Sequence, residues 1–366
     1  MRRSLTRFAL GLWLCSLASL LAADCAPGSR PVQLYASGPA SGSPLRFRVR
    51  VGEDRRSPVI KVAVPAHSRS ITIVAQGAPD VLYALASFKL GGVELQDFPQ
   101  QALAEKLPAA YFVEGSAQPP GSLLQFSRLG TFTFLYPYAP EQPLFAGPLE
   151  FRIAASRAEG DVDITVLLPE DDGASVLHLN LLVVSEEHGP PLAAPLAFLP
   201  TAQAIFAQAG ISLRIDAIAV LRDSGLSAVA TLAEPWESPS GPLCQLTRLG
   251  QKRVESAGLP VYLVDALPRG SDGTSLGLPG PPLPQSPFFG VVLRRAEPQA
   301  LGRTLSHEVA HFLGLRHVRT VTASGAVLTD GIADTEPAGD NLMEHGDRLS
   351  PGQIKVLRRS PLLTLH

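Results

Sequence analysis

At 366 residues, with 45% apolar and 17% charged side chains, the chain is long enough for two domains with cores of their own. A formal net charge of -2 gives no reason to expect nucleic acid or an acidic membrane surface as a partner. The 34 prolines and 32 glycines stay below a disordered composition and point to short elements, many turns and β-rich stretches.

The N-terminus reads as an export signal over residues 1–23. Arg2, Arg3 and Arg7 form a basic start, Phe8 to Leu21 is an almost unbroken apolar run, and Ala22-Ala23 supplies small residues for cleavage. The run is too short for a comfortable membrane span, and none is expected downstream. A secreted, periplasmic or cell-surface location follows. Cys15 lies inside the signal, which leaves Cys25 and Cys244 in the mature chain. An oxidising compartment permits a disulfide between them. Cys25 also stands where a lipidated cysteine would, although Asp24 precedes it in place of a small residue, and it could serve as a latency thiolate.

Residues 24–168 alternate and turn like an all-β, sandwich-like domain, part of which could be a propeptide. Leu45–Val51 alternates apolar and basic side chains with period two, and Val59–Val64 and Ser70–Val74 follow at hairpin-like spacing. Gly130–Tyr136 and Leu149–Ala154 read as another pair, with a short helix expected over Gln100–Lys106. Arg48 and Arg50 read as the solvated face of a strand, and Phe132, Phe134, Tyr136 and Tyr138 as core. The polar stretch beginning Pro169-Glu170-Asp171-Asp172-Gly173 makes a linker over 169–175.

From residue 176 to 366 the pattern becomes α/β. Val176–Val184 is a strongly apolar strand. Leu196–Ala209 carries apolar residues at helical spacing and ends at Gly210, and Ile211–Ile215 begins a strand running toward Leu221. Strand, helix, strand of this kind builds a parallel β-α-β unit. Leu259–Val264 adds a strand. Ser275-Leu276-Gly277-Leu278, leading into Pro279-Gly280-Pro281-Pro282, suits only a sheet edge. Phe289–Leu293 is the last strand before a helix beginning near Ala300, whose Leu305, Val309, Phe312 and Leu313 make a stripe to face the sheet.

That helix carries His307-Glu308-Val309-Ala310-His311, followed by Gly314 and His317. Residues four apart lie on one helix face, so His307 and His311 can grip one ion, with Glu308 near a water beside it. Gly314 permits a left-handed helix end that brings His317 back as a third ligand and leaves the fourth position open. The remaining His67, His178, His188 and His366 have no partner at ligand spacing and read as structural or surface residues.

With Ser275–Pro279, Gly290–Leu293, Thr304–His317, Asp330–Thr335, Asn341-Leu342-Met343 and Leu349–Gln353, the C-terminal half resembles a metzincin zinc metalloprotease of the pappalysin type. The resemblance implies an α/β (α+β) zincin domain with a mixed, mostly parallel five-stranded sheet. Its activity would be that of a zinc endopeptidase in which Glu308 activates the zinc-bound water. Met343 falls at the Met-turn, and an edge strand at Ser275–Leu278 would hold an extended protein or peptide substrate. Several metzincins have a tyrosine two positions after that methionine. Here His345 stands there, as an oxyanion donor, a further ligand or an exposed residue. Asp330 and Asp334, with Asp340, could hold calcium besides the zinc. The alternative is an exported binding or adhesion protein with a silent zincin domain. Oligomeric state is not legible.

Overall fold

The computed structural model describes residues 43–97, 123–128, 130–158, 160–170, 175–184, 196–221, 241–254, 256–321, 325, 327–335 and 339–364. The export signal, Cys25, Gln100–Lys106 and His188 lie outside the described residues.

Period-two alternation sets the first part of the chain. It forms strands β1 (Leu45–Val51), β2 (Ile60–Val64), β3 (Ile71–Gln76), β4 (Tyr83–Leu90), β5 (Val93–Asp97), β6 (Leu124–Arg128), β7 (Thr131–Tyr136), β8 (Gly147–Ala155) and β9 (Gly160–Leu167). They form a five-stranded sheet in the order β1-β9-β3-β7-β6 and a four-stranded sheet in the order β2-β8-β4-β5, with every pairing antiparallel. One apolar cluster joins them, with the Phe88 ring 5.0 Å from Phe134 and 5.2 Å from Tyr136. The expected hairpins are corrected here. β2 pairs with β8 rather than with β3, and β7 and β8 sit in different sheets. A turn signal says that the chain reverses, and either sheet can then receive the next strand's apolar face.

The second part begins with β10 (Ser175–Val184), so Ser175, read as linker, is already strand, and Glu170 bridges to Ser68. Then follow α1 (Leu199–Ala207), β11 (Ile211–Leu221), α2 (Pro242–Arg253), β12 (Leu259–Val264), β13 (Gly273–Ser275), β14 (Val291–Arg294), α3 (Pro298–Leu313), β15 (Arg319–Val321), β16 (Val327–Thr329), α4 (Pro351–Arg358) and β17 (Leu363–Thr364). The sheet order is β11-β10-β12-β14-β13, with β17 pairing beside β10. The pairings of β10 with β11 and β12 and of β12 with β14 are parallel, while β13 is antiparallel at the edge. This is a mixed sheet whose main path has five strands.

Alternation along β10 feeds both faces of that sheet. Leu177, Leu179, Leu181 and Val183 join the core under α1 and α3, while Leu182 and Val184 join the core under α2. The expected stripe Leu305, Val309, Phe312 and Leu313 is buried in the first of these. α3 starts at Pro298 rather than Ala300, because proline's fixed φ and missing N–H suit the first helical turn. α2 was not anticipated, although Leu243, Leu246, Thr247 and Gly250 recur at helical spacing and are buried. Among the described residues, no helix is long and apolar enough to cross a membrane.

The two β-rich parts meet along α4. The Arg359 guanidinium donates to the carbonyls of Pro137, Tyr138, Ala139, Pro140 and Gln142 at 2.9–3.2 Å. In the other direction Arg69 donates to the Ser360 and Leu363 carbonyls, and Ser70 to that of Arg359.

Candidate metal centre

The centre is built from the end of α3. Gly314 has φ +118°, a left-handed value that a side chain would strain. Its N–H donates to the His311 carbonyl at 2.9 Å, and the Leu315 N–H donates to that of Ala310 at 2.8 Å. This pair of bonds is a Schellman turn, and it closes the helix. The reversed chain brings His317 Nε2 to 3.1 Å from both His307 Nε2 and His311 Nε2.

Each helix histidine is oriented from behind. His307 Nδ1 lies 2.8 Å from the Leu342 carbonyl and His311 Nδ1 lies 2.7 Å from the Leu315 carbonyl. A carbonyl can only accept, so both Nδ1 atoms carry the proton and both Nε2 lone pairs face the centre. Burial lowers the His307 pKa to about 4, and His317 and His345 add to the fall. Burial likewise holds His311 well below the usual range and, more mildly, His317, so the imidazoles are neutral at pH 7.

Neutral lone pairs converging at 3.1 Å repel one another unless a cation lies between them. Nitrogens about 2.0–2.1 Å from one zinc ion would sit at roughly this separation. The donor set therefore fits zinc or a similar borderline ion. Among the described residues, these three histidines are the group of His, Cys, Asp or Glu placed to hold a metal.

Asn341, Leu342 and Met343 reach this centre through a chain of hydrogen bonds. Ser350 and Gln353 form a capping box at the start of α4. Gln353 exchanges two side-chain bonds with Asn341, at 3.0 and 3.1 Å. Asn341 Oδ1 accepts from the Met343 N–H at 2.8 Å, and the Leu342 carbonyl between them takes His307. Met343 is fully buried in the core beneath.

Glu308 is 9% exposed and lines a cleft of about 810 Å³ together with the three histidines. The strand backbone approaches it closely at Gly273. A Cβ on Gly273 would lie 2.7 Å from Glu308 Cγ, 3.0 Å from its Oε1 and 2.8 Å from Thr304 Cγ2. His345 is exposed on the cleft wall beside Glu344 and Gly346, outside the group of ligand atoms.

The edge strand lies slightly earlier than expected, at Gly273–Ser275. Ser275 and Leu278 line the cleft, whereas Leu276 is buried in the core and Gly277 hydrogen-bonds within the turn at Ser275. Pro279, Pro281 and Pro282 take the chain out of the ladder after one short pairing. Calcium finds no support among the described residues. Asp330 Oδ1 accepts from the Ile332 N–H and the Thr335 hydroxyl, while Asp334 accepts from Ser350 Oγ and Gly352 N. Asp340 pairs with Arg348. These carboxylates tie the loop to itself and to α4 instead of converging on the several oxygen ligands calcium needs.

Cys244 is buried on α2 and disulfide-bonded, while Cys25 is outside the described residues. His178 does find a partner, since its Nδ1 lies 2.8 Å from Asp216 on the neighbouring strand. Asp272, Gly273, Arg303 and Thr320 also line the cleft and were not singled out from sequence, while Thr304 and Arg316, which line it too, entered only within the stretch Thr304–His317. Helical spacing could have found two of them, since Arg303 stands four residues before His307 and Thr304 four before Glu308.

A helix, a left-handed turn and a returning histidine thus define a three-histidine metal centre. No family profile and no curated protein matches the chain. Among solved structures, metalloproteinase-II from Bacteroides fragilis is similar at 14% identity and a TM-score of 0.32, over 55% of this chain and 63% of that one. Archaemetzincin from Methanopyrus kandleri is similar at 13% identity and a TM-score of 0.29, over 50% of this chain and 87% of that one. The match thus spans less than two thirds of the Bacteroides protein. At these TM-scores neither likeness carries chemistry over to this chain.

Proposed function

We propose that the protein is an exported zinc-dependent endopeptidase of the metzincin class, pappalysin-like in its catalytic part. The observation that carries this reading is the convergence of His307, His311 and His317 beside Glu308, in an open cleft under a sheet edge. Zinc, when bound, would supply Lewis acidity that polarises the scissile carbonyl and acidifies a neighbouring water.

The remaining work falls to the chain's own groups. The outer edge of β13, last in the sheet order among the described residues, offers backbone donors and acceptors on which an extended peptide can lie as an added strand. Glu308 takes a proton from the attacking water and returns it to the leaving amine, so the peptide bond is replaced by an acid and an amine. Gly273, with no Cβ, leaves the room beside the strand that this carboxylate arm occupies. His345, on the cleft wall, supplies an N–H toward the oxygen that gains charge as the carbonyl is attacked.

The test is cleavage of a mixed peptide library by the purified protein before chelation, after chelation and after zinc is restored. Cleavage should disappear with the metal and return with zinc. Undiminished cleavage in chelator, or absence of bound zinc in active protein, overturns the proposal.

A further inference from the structure

Strand β7 is buried on both of its faces. Phe132, Phe134 and Tyr136 point into the core between the two N-terminal sheets. Leu135 points the other way and belongs to the core that holds α3 and Met343. So does Leu124 of β6, which pairs with Leu135 across the ladder, and so does Tyr138, 2% exposed, just past the end of β7.

These residues do not merely touch the second part of the chain. They bear on the turn that returns the third histidine. From the Cβ position of Gly314, the nearest atoms are Leu135 Cδ2 at 3.1 Å and Leu124 Cδ2 at 3.6 Å. Tyr138 is buried in the same core as Leu315 and Val318, which flank the return to His317. Arg359 gathers the carbonyls around Tyr138 and so pins that segment to α4.

We infer that the N-terminal sheet is a permanent brace of the metal centre, with Leu135 and Tyr138 as positioning residues that hold the Gly314–His317 turn. The physical reason lies in the turn itself. His307 and His311 are fixed by a helix, whereas His317 follows a reversal whose apolar side must be covered by something. β6 and β7 supply that cover. A pro-segment discarded on activation would uncover the turn and loosen the third ligand. Loss of this region therefore inactivates the protein rather than releasing it. The inference shares the metal site with the proposed function, yet it concerns the turn's rigidity and can be read without metal.

The experiment compares full-length wild type, Leu135→Ala and Leu149→Ala by native-state hydrogen exchange in metal-free protein, followed by zinc titration against a competing chelator. Leu149, buried in the core between the two N-terminal sheets, controls for general weakening by the same deletion. In Leu135→Ala the Gly314 and Leu315 amides should exchange at least about tenfold faster than in Leu149→Ala, and zinc affinity should fall about 10- to 100-fold, as for lost supports behind a ligand. If Leu135→Ala does not fold, Leu135→Val makes the smaller deletion with the same expected direction. Unchanged exchange at Gly314 and Leu315, or an equal effect from Leu149→Ala, overturns the inference. Wild type that binds no zinc would instead overturn the proposed function, and the exchange comparison would still decide this one.

Discussion

Gly273→Ala tests the placement of Glu308 without touching a ligand. The added Cβ would stand 2.7 Å from Glu308 Cγ and 3.0 Å from Oε1. Carbon atoms in ordinary contact are about 3.5–4.0 Å apart, so the carboxylate arm must yield by roughly 0.8 Å or more. The backbone itself accepts alanine, because Gly273 does not have the left-handed φ of Gly314. A misplacement of about 1 Å in a reacting group costs on the order of 100-fold in rate. We therefore expect kcat to drop about 100-fold, with an overpacking cost of about 1–3 kcal/mol in stability. Zinc stoichiometry should not change, since the histidine nitrogens lie outside the clash. Steady-state cleavage of a quenched peptide, with zinc content measured on the same sample, separates these terms. Wild-type kcat with full zinc would refute the reasoning. A rise in KM alone would show that the edge strand moves instead of Glu308.

Other outcomes follow from the same geometry. Gly314→Ala forces a side chain into φ +118° and against Leu135, so calorimetry should show a loss of about 1–3 kcal/mol. Asn341→Ala leaves the buried Gln353 Nε2 donor without its acceptor, and denaturant unfolding should lose about 1–3 kcal/mol. Its zinc affinity should fall as well, because the Leu342 carbonyl that orients His307 loses its anchor. Metal-free protein should weaken in acid. His307 stays neutral in the fold down to about 4, whereas the unfolded chain takes up that proton near 6.5. The stability present above about pH 6.5 should then be lost progressively as pH falls toward 4, and thermal scans after chelation should trace that window.

The metal centre was legible in sequence because its chemistry is local. His307 and His311 are one helical turn apart, Gly314 marks the reversal, and only a short return brings in His317. Met343 was legible through resemblance alone, since nothing in its spacing says that Leu342 reaches His307. The strands were legible from alternation, but not their partners. The apolar faces of β2 and β3 fit either sheet, and pairing depends on contacts far apart in sequence. Gly273 was hidden for a similar reason, because its role depends on a Glu308 side chain brought to it by folding. The acidic loop misled by composition. Asp330 and Asp334 looked like a cation site, yet Asp330 Oδ1 accepts from Thr335 and Asp334 accepts from Ser350 and Gly352, so the two carboxylates serve the loop and α4 separately. Tyr138 read as part of one aromatic cluster, although it lies just past β7 and crosses to the other core.

The most direct test of the account is peptide cleavage by zinc-loaded Glu308→Gln, measured beside wild type with metal content determined for both. The amide keeps the shape of the side chain but cannot take a proton from water. The variant should hold equal zinc on His307, His311 and His317, with cleavage reduced to background. Cleavage at the wild-type rate from the fully zinc-loaded variant would contradict this expectation.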